Sequence, residues 1–266
     1  MHKIEMYQPS EAFFHCWRAA AQHIERQGQG PLAWLKARLE PPFLEHLSFR
    51  LGNQLFFVRV EDDQSALEVP GSVKGLLRIA DDCKGHPCIM TMQHRSETWS
   101  PVDIGWGLRH ARTGEPVDPA ALMTDDLIEM TDWEVHDFAV MVVRQHLEEQ
   151  GREIIASAGD PGLDPALWFK GDRGSEWVVV RAVRHPDPEP APPAKWAQIA
   201  QSCAHLSATG HFVAIRVASA NDAFDPEGLG AMPLWRGHPM VVNKFRLVRP
   251  DRPPGMLKGL LSRWRH

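Results

Sequence analysis

The sequence predicts an α/β protein built from two tandem units, each running helix, strand, strand, strand, helix, strand and packed as an internal pseudo-dimer. Three observations lead there. First, Gln22-His23-Ile24-Glu25-Arg26-Gln27-Gly28 recurs as Gln145-His146-Leu147-Glu148-Glu149-Gln150-Gly151, an offset of 123 with five of seven positions identical. A chance match at one position is roughly 1 in 15 to 20 for average residue usage. Second, further matches follow in order, with offsets between 120 and 125, the drift that loop insertions produce. Third, helical and strand periodicities alternate in the same sequence in both halves.

The elements follow in chain order. Ser10 to Gln27 starts on a capping serine and sets Phe13, Trp17, Ala20, Ala21 and Ile24 on one stripe; Asp132 to Gln150 repeats the pattern with Phe138, Met141, Val142 and Leu147. Gly28 and Gly151 stand where a left-handed residue ends a helix. Pro31 to Glu40 then reads as a helix, whereas its counterpart Arg152 to Ser157 reads as a strand. Leu39-Glu40-Pro41 answers Leu163-Asp164-Pro165, and Leu47-x-Phe49 answers Leu167-x-Phe169. The turn signals Gly52-Asn53 and Gly171-Asp172-Arg173-Gly174 lead into the β-rich runs Leu55 to Val60 and Trp177 to Val183, predicting a hairpin with a buried second strand in each half. Arg59 pairs with Arg181 at an offset of 122. A loop follows, proline-rich over Pro186 to Pro193, which is extended and carries little chemistry of its own. Ile79-Ala80-x-x-Cys83 matches Ile199-Ala200-x-x-Cys203 on a second helix, and Gly85-His86 matches Gly210-His211 before the apolar strands Cys88-Ile89-Met90 and Phe212 to Ile215. Trp99-Ser100-Pro101 echoes Phe224-Asp225-Pro226. The expected domains are residues 1–125, residues 126–245, and a basic amphipathic tail over 246–266.

Composition bounds the function. An apolar fraction of 43% with 24% charged residues is that of a soluble globular protein. No run approaches the roughly 18 apolar residues of a membrane span, and the N-terminus lacks the apolar core of a signal peptide. Four cysteines are too few for a disulfide scaffold in 266 residues, so a reducing, cytoplasmic setting is expected. The net charge of −5 argues against a nucleic-acid footprint over the whole surface and leaves room for a local basic groove. No G-x-S-x-G, phosphate-binding G-x-x-x-x-G-K or G-x-G-x-x-G motif occurs between a strand and a helix.

In the second half, the helix Phe138 to Gln150-Gly151, then Gly162-Leu163-Asp164-Pro165, the strand Val178-Val179-Val180-Arg181, a helix and Phe212-Val213-Ala214-Ile215 resemble the restriction-endonuclease-like superfamily, the PD-(D/E)XK nucleases, and within it the Mrr-like branch. The resemblance covers about residues 132–220, and residues 10–105 only through the internal repeat. It implies two carboxylates that hold Mg²⁺ through hard oxygen ligands, with the metal activating a water for phosphodiester cleavage and a lysine orienting that water. Mapped residue by residue, the aspartate falls on Asp164, the second carboxylate on Val179 and the lysine on Arg181. Valine has no ligating atom, and arginine holds a phosphate but stays protonated. The resemblance therefore implies a degenerate active site. Alternation puts Glu176 on the face opposite Trp177, Val179 and Arg181, so it completes the site only if the hairpin is bulged. Glu134 on the preceding helix is the better migrant carboxylate. The first-half equivalents are Glu40, Phe57 and Arg59, with Glu61 on the face of Arg59, and they are more degenerate still.

The bland readings stand beside these. Asp164 precedes a proline and suits a turn; Arg181 suits an ion pair at a strand end. His23 and His146 suit helix ends, where a cation complements the dipole. Cys83-x-x-His86-x-Cys88 has no standard zinc spacing, and Cys83 matches Cys203 as a small core residue. The tail carries Lys258, Arg263 and Arg265 as candidate nucleic-acid contacts, with Met256, Leu257, Leu260, Leu261 and Trp264 at helical spacing.

Three functions are expected in turn: a nuclease descendant without cleavage activity that binds nucleic acid or protein; a Mg²⁺-dependent endodeoxyribonuclease using Asp164, Glu134 and Arg181, with Asp164 on the metal; or an accessory or immunity-type protein using the fold as a platform. The first needs no cofactor. A monomer with pseudo-dimeric halves and either DNA or a protein as partner fits it.

Overall fold

The computed structural model describes residues 10–28, 32–35, 47–172, 174–222, 224 and 231–250. The chain forms two compact units: one runs to Thr131 and takes back Trp235–His238, and the other is the rest from Asp132 onward.

In the first unit, α1 (Glu11–Gln27) is capped by Ser10, whose hydroxyl accepts from the Phe13 N–H at 3.1 Å. Its stripe of Phe13, Cys16, Trp17, Ala20, Ala21 and Ile24 is buried. The helix ends at Gly28, but φ there is −78°, so the expected left-handed terminator is not what glycine provides. A Cβ at Gly28 would lie 2.5 Å from Leu32 Cδ1 and 3.1 Å from Leu32 Cβ, so a larger residue there would make the Leu32 side chain give way. That segment is β1 (Leu32–Trp34), antiparallel to β2 (Leu47–Leu51). The described part of the stretch expected to be helical is therefore extended. Its backbone bonds the free edge of β2, and Trp34 packs edge-on against Phe49 at 5.8 Å. Pairing and packing override a weak helix preference. Residues 36–46, with Glu40, lie outside the described residues.

A two-residue turn joins β2 to β3 (Gln54–Asp62). A crossover through α2 (Val73–Asp82), capped by Ser72, places β4 (His86–Arg95) parallel to β3. The free edge of β4 is shared by β5 (Thr98–Pro101) at its C-terminal end and β6 (Leu108–His110) at its N-terminal end; β7 (Pro116–Val117) follows on β6. The α1 stripe meets Phe49, Phe56, Val58, Val60, Met90 and Met92 on one face of this sheet.

The second unit begins with α3 (Asp132–Glu149), ended by Gly151 at φ +75°, the left-handed terminator expected there. Next come β8 (Ile154–Ser157), β9 (Leu167–Gly171) and β10 (Gly174–Arg184) as an antiparallel meander. A crossover through α4 (Trp196–Cys203) places β11 (Gly210–Ser219) parallel to β10. The free edge of β11 takes β12 (Met240–Val242) at its C-terminal end and Val248 at its N-terminal end, where Val248 and Phe212 exchange two hydrogen bonds. Residues 246–250 thus adjoin the sheet, and residues 251–266 lie outside the described residues.

From α1 to β4 and from α3 to β11 the units run through the same order of elements with the same pairing; after that the first adds β5, β6 and β7 and the second adds β12. Their parallel registers also correspond: Phe56 faces His86, and Val178 faces His211, positions 122 and 125 residues apart. The hairpins differ. Arg59 lies five residues beyond the first residue of β3, and Arg181 seven beyond the first of β10. A slip of two keeps the same side chains on the same face. Cys83 and Cys203 are both buried, as small core positions.

Candidate functional site

On β10, alternation directs Trp177, Val179, Arg181 and Val183 to one face. There Trp177 and Val179 pack with Trp196, Ile199 and Cys203 of α4 and with Phe212 and Ala214 of β11. Val179 is fully buried, so the position that the resemblance assigns to a metal-binding carboxylate is core.

Asp164 reaches Arg181 because the chain just after it is pinned to β10: the Ala166 N–H donates to Val178 O at 2.9 Å. Both Asp164 oxygens are then engaged. Arg181 Nη1 donates to Oδ1 at 2.8 Å and Nη2 to Oδ2 at 2.6 Å, a bidentate pair. Arg181 Nη1 also donates to Val180 O at 2.8 Å. Lys195, just before α4, brings Nζ to 3.2 Å from Oδ2. The carboxylate is 3% exposed, Arg181 23% and Lys195 54%, so two cations close over a buried anion. Burial works to raise the Asp164 pKa, but the hydrogen bonds and charges of Arg181 and Lys195 outweigh it and hold the carboxyl below its ordinary value. Burial, then the Asp164 charge, pushes the Cys203 thiol up to about 11.

Sequence reasoning brings Asp164 and Arg181 together; the third candidate lies elsewhere. Glu134 is buried on α3, and α3 covers the other face of the sheet: its Asp132 pairs with Arg184, on the side of Val178 and Val180. Glu176 is also on that other face. The β9–β10 ladder is regular, and His211 Nε2 donates to Glu176 Oε2 at 2.6 Å. In the first unit His86 Nε2 lies 3.1 Å from Gln54 Oε1, so the two units repeat this pairing at corresponding positions. Burial is the main cause that lowers both imidazole pKa values.

These residues do not fit the divalent cation that the resemblance implies. Mg²⁺ demands a near-octahedral set of oxygens. Asp164 offers one carboxylate already held by two cations, Val179 offers no oxygen, and Glu134 belongs to the opposite layer. Among the described residues, no group of three or more His, Cys, Asp or Glu side chains is placed to hold a metal ion. In the first unit Phe57 is buried, and Arg59 donates to Glu61 Oε1 and Pro70 O, both at 2.7 Å.

The remaining candidates take structural places. His23 Nε2 donates to Gly105 O at 2.8 Å, and His146 sits edge-on to Phe245 at 5.0 Å. Cys83 and Cys88 are buried, and burial pushes the Cys88 thiol up to about 12. Lys258, Arg263 and Arg265 lie outside the described residues.

One contact of the Asp164–Arg181 pair lies outside the sequence reading: Lys195 follows the proline-rich stretch Pro186 to Pro193, which reads as extended and carrying little chemistry by itself.

A family model described as a domain of unknown function (DUF8840) matches residues 133–249. The matched stretch holds Glu134, Asp164, Arg181 and Lys195. No curated protein and no solved structure matches the chain. Among the described residues no helix is long and apolar enough to cross a membrane.

Proposed function

We propose that the second unit is a restriction-endonuclease-like module that has lost metal-dependent cleavage and acts by binding, and that both units descend from one duplicated ancestor. The observation that carries the functional reading is the Asp164 carboxylate. In an active nuclease it would face a cation and a substrate phosphate; here Arg181 and Lys195 take both its oxygens. Arg181 replaces the metal as counter-ion and, unlike lysine, cannot give up its proton to activate a water. The shared order of elements, the matching parallel registers and the repeated Gln54–His86 and Glu176–His211 pairs support the duplication. A migrated carboxylate at Glu134 is disfavoured by its place on the opposite layer.

Incubation of plasmid and single-stranded DNA with the full chain in millimolar Mg²⁺ or Mn²⁺ tests this. No cleavage above a protein-free control is expected. Cleavage that Asp164→Asn abolishes would overturn the reading.

A further inference from the structure

The first unit contains four residues that the chain supplies late. After Thr131 the chain builds the second unit as far as Leu234, returns to the first with Trp235–His238, and leaves again at Pro239. Three parts of the first unit receive this return segment. The stretch after β7 offers backbone: Trp235 pairs with Glu129 in an antiparallel bridge, and the Arg236 N–H donates to Ile128 O at 2.9 Å. The carboxyl end of α2 offers two carbonyls: Arg236 Nη2 donates to Cys83 O, and Nη1 donates to Lys84 O at 3.4 Å. The β2–β3 turn offers a close contact. A Cβ at Gly237 would lie 2.6 Å from Arg50 Nη1, whose own hydrogen bond goes to Gly52 O at 2.7 Å. With φ at +82°, Gly237 also holds a backbone conformation that strains any other residue.

Electrostatics suits this occupant. The last carbonyls of a helix lack intrahelical partners and carry its negative dipole end, so a cation is favourable there. The last turn of α2 has no basic residue of its own, and Arg236 brings the charge from far along the chain. Arg236 is 5% exposed, so its charge-assisted hydrogen bonds form out of water, where they are stronger. The receiving backbone is fixed as well. Asn53, buried in the β2–β3 turn, donates from Nδ2 to Thr124 Oγ1 at 2.9 Å and to Asp126 O at 2.8 Å. Its Oδ1 accepts from the Thr124 N–H at 3.2 Å. The stretch that pairs with Trp235 is therefore tied to the turn that Gly237 approaches.

The geometry points to residues 235–238 as a clasp that makes the stability of the first unit depend on the folding of the second. Between Thr131 and Trp235 lies the whole of Asp132–Leu234. While that stretch is folded, both its ends are held: Asp132 pairs with Arg184, and Leu234 is buried. The clasp then closes at little cost in chain entropy. Once the stretch unfolds, the same contacts must close a long flexible loop, and that cost rises with loop length. The clasp opens, α2 loses its arginine cap, and Glu129 loses its bridge. Whatever stabilises the second unit, a bound ligand or partner included, thereby also protects the first. The assignment holds whether the second unit binds or cleaves.

The test is native-state hydrogen exchange of the full chain, read on peptides from α2 and β3 of the first unit and from β10 and β11 of the second. Ile215 is fully buried on β11, so Ile215→Val weakens the second unit far from the clasp by removing one methyl group. Exchange in β10 and β11 is expected to quicken roughly two- to tenfold, the range of a buried Ile→Val change, and α2 and β3 are expected to quicken with it. Arg236→Met removes the clasp. In that background α2 and β3 exchange faster from the start, and adding Ile215→Val changes only β10 and β11. Should Arg236→Met fail to fold, Gly237→Ala carries the same comparison, since it strains the turn and leaves the guanidinium in place. First-unit exchange that ignores Ile215→Val in the parent chain overturns the assignment. First-unit exchange that still follows Ile215→Val once the clasp is removed overturns it too, because the coupling then runs by another route.

Discussion

At Asp164 the balance of two costs decides what the residue can do. Burying a lone carboxylate is expensive, and the Arg181 fork and Lys195 together offset that expense. Removing one partner exposes the cost. Arg181→Met should lower the unfolding free energy by about 2–3 kcal/mol in urea, less than the roughly 3–5 kcal/mol of a fully enclosed pair, because Lys195 stays and Arg181 is partly solvated. The pH dependence follows in sign. The folded pKa of Asp164 lies below its ordinary 3.8, so its contribution is complete above that value and drains away as pH falls through the folded pKa. The acid limb of a melting-temperature profile should therefore be shallower in Arg181→Met than in the parent chain. An equal slope would mean that the pair does not set the Asp164 titration.

Among the elements, strand alternation was the most legible feature. Alternation along Trp177 to Val183 sets which side chains share a face, and with it the separation of Glu176 from Arg181. What alternation could not reveal was which helix covers which face, so Glu134 looked closer to Asp164 than its layer allows. The Pro31 to Glu40 stretch failed for a different reason. Its strand exists through bonds to β2, and such long-range pairing leaves little trace in local propensity. Gly28 was placed correctly as a helix end, but its backbone is not left-handed, and what a side chain there would crowd is Leu32. The β10 element also limits what repair can achieve. Val179 is fully buried between strand and helix, so Val179→Glu should cost about 3 kcal/mol or more for an unpaired buried charge and should not create a metal site. Denaturant unfolding measures the cost; restored Mn²⁺ binding in that variant would show the position to be more open than the packing indicates.

For the whole molecule, the elements from α1 to β4 run in the same order as those from α3 to β11, and the units differ after those strands, with β5, β6 and β7 in one and β12 in the other. Lys195 carries no signal in the sequence because it meets Asp164 only through the fold, from the loop end just before α4. If the second unit binds rather than cleaves, its stability should be indifferent to the ion its resemblance implies. The decisive measurement is the melting temperature of the full chain titrated with Mg²⁺ and Mn²⁺ through the millimolar range at constant ionic strength. The Asp164–Arg181–Lys195 arrangement predicts no saturable shift. A saturable rise that disappears in Asp164→Asn would contradict it.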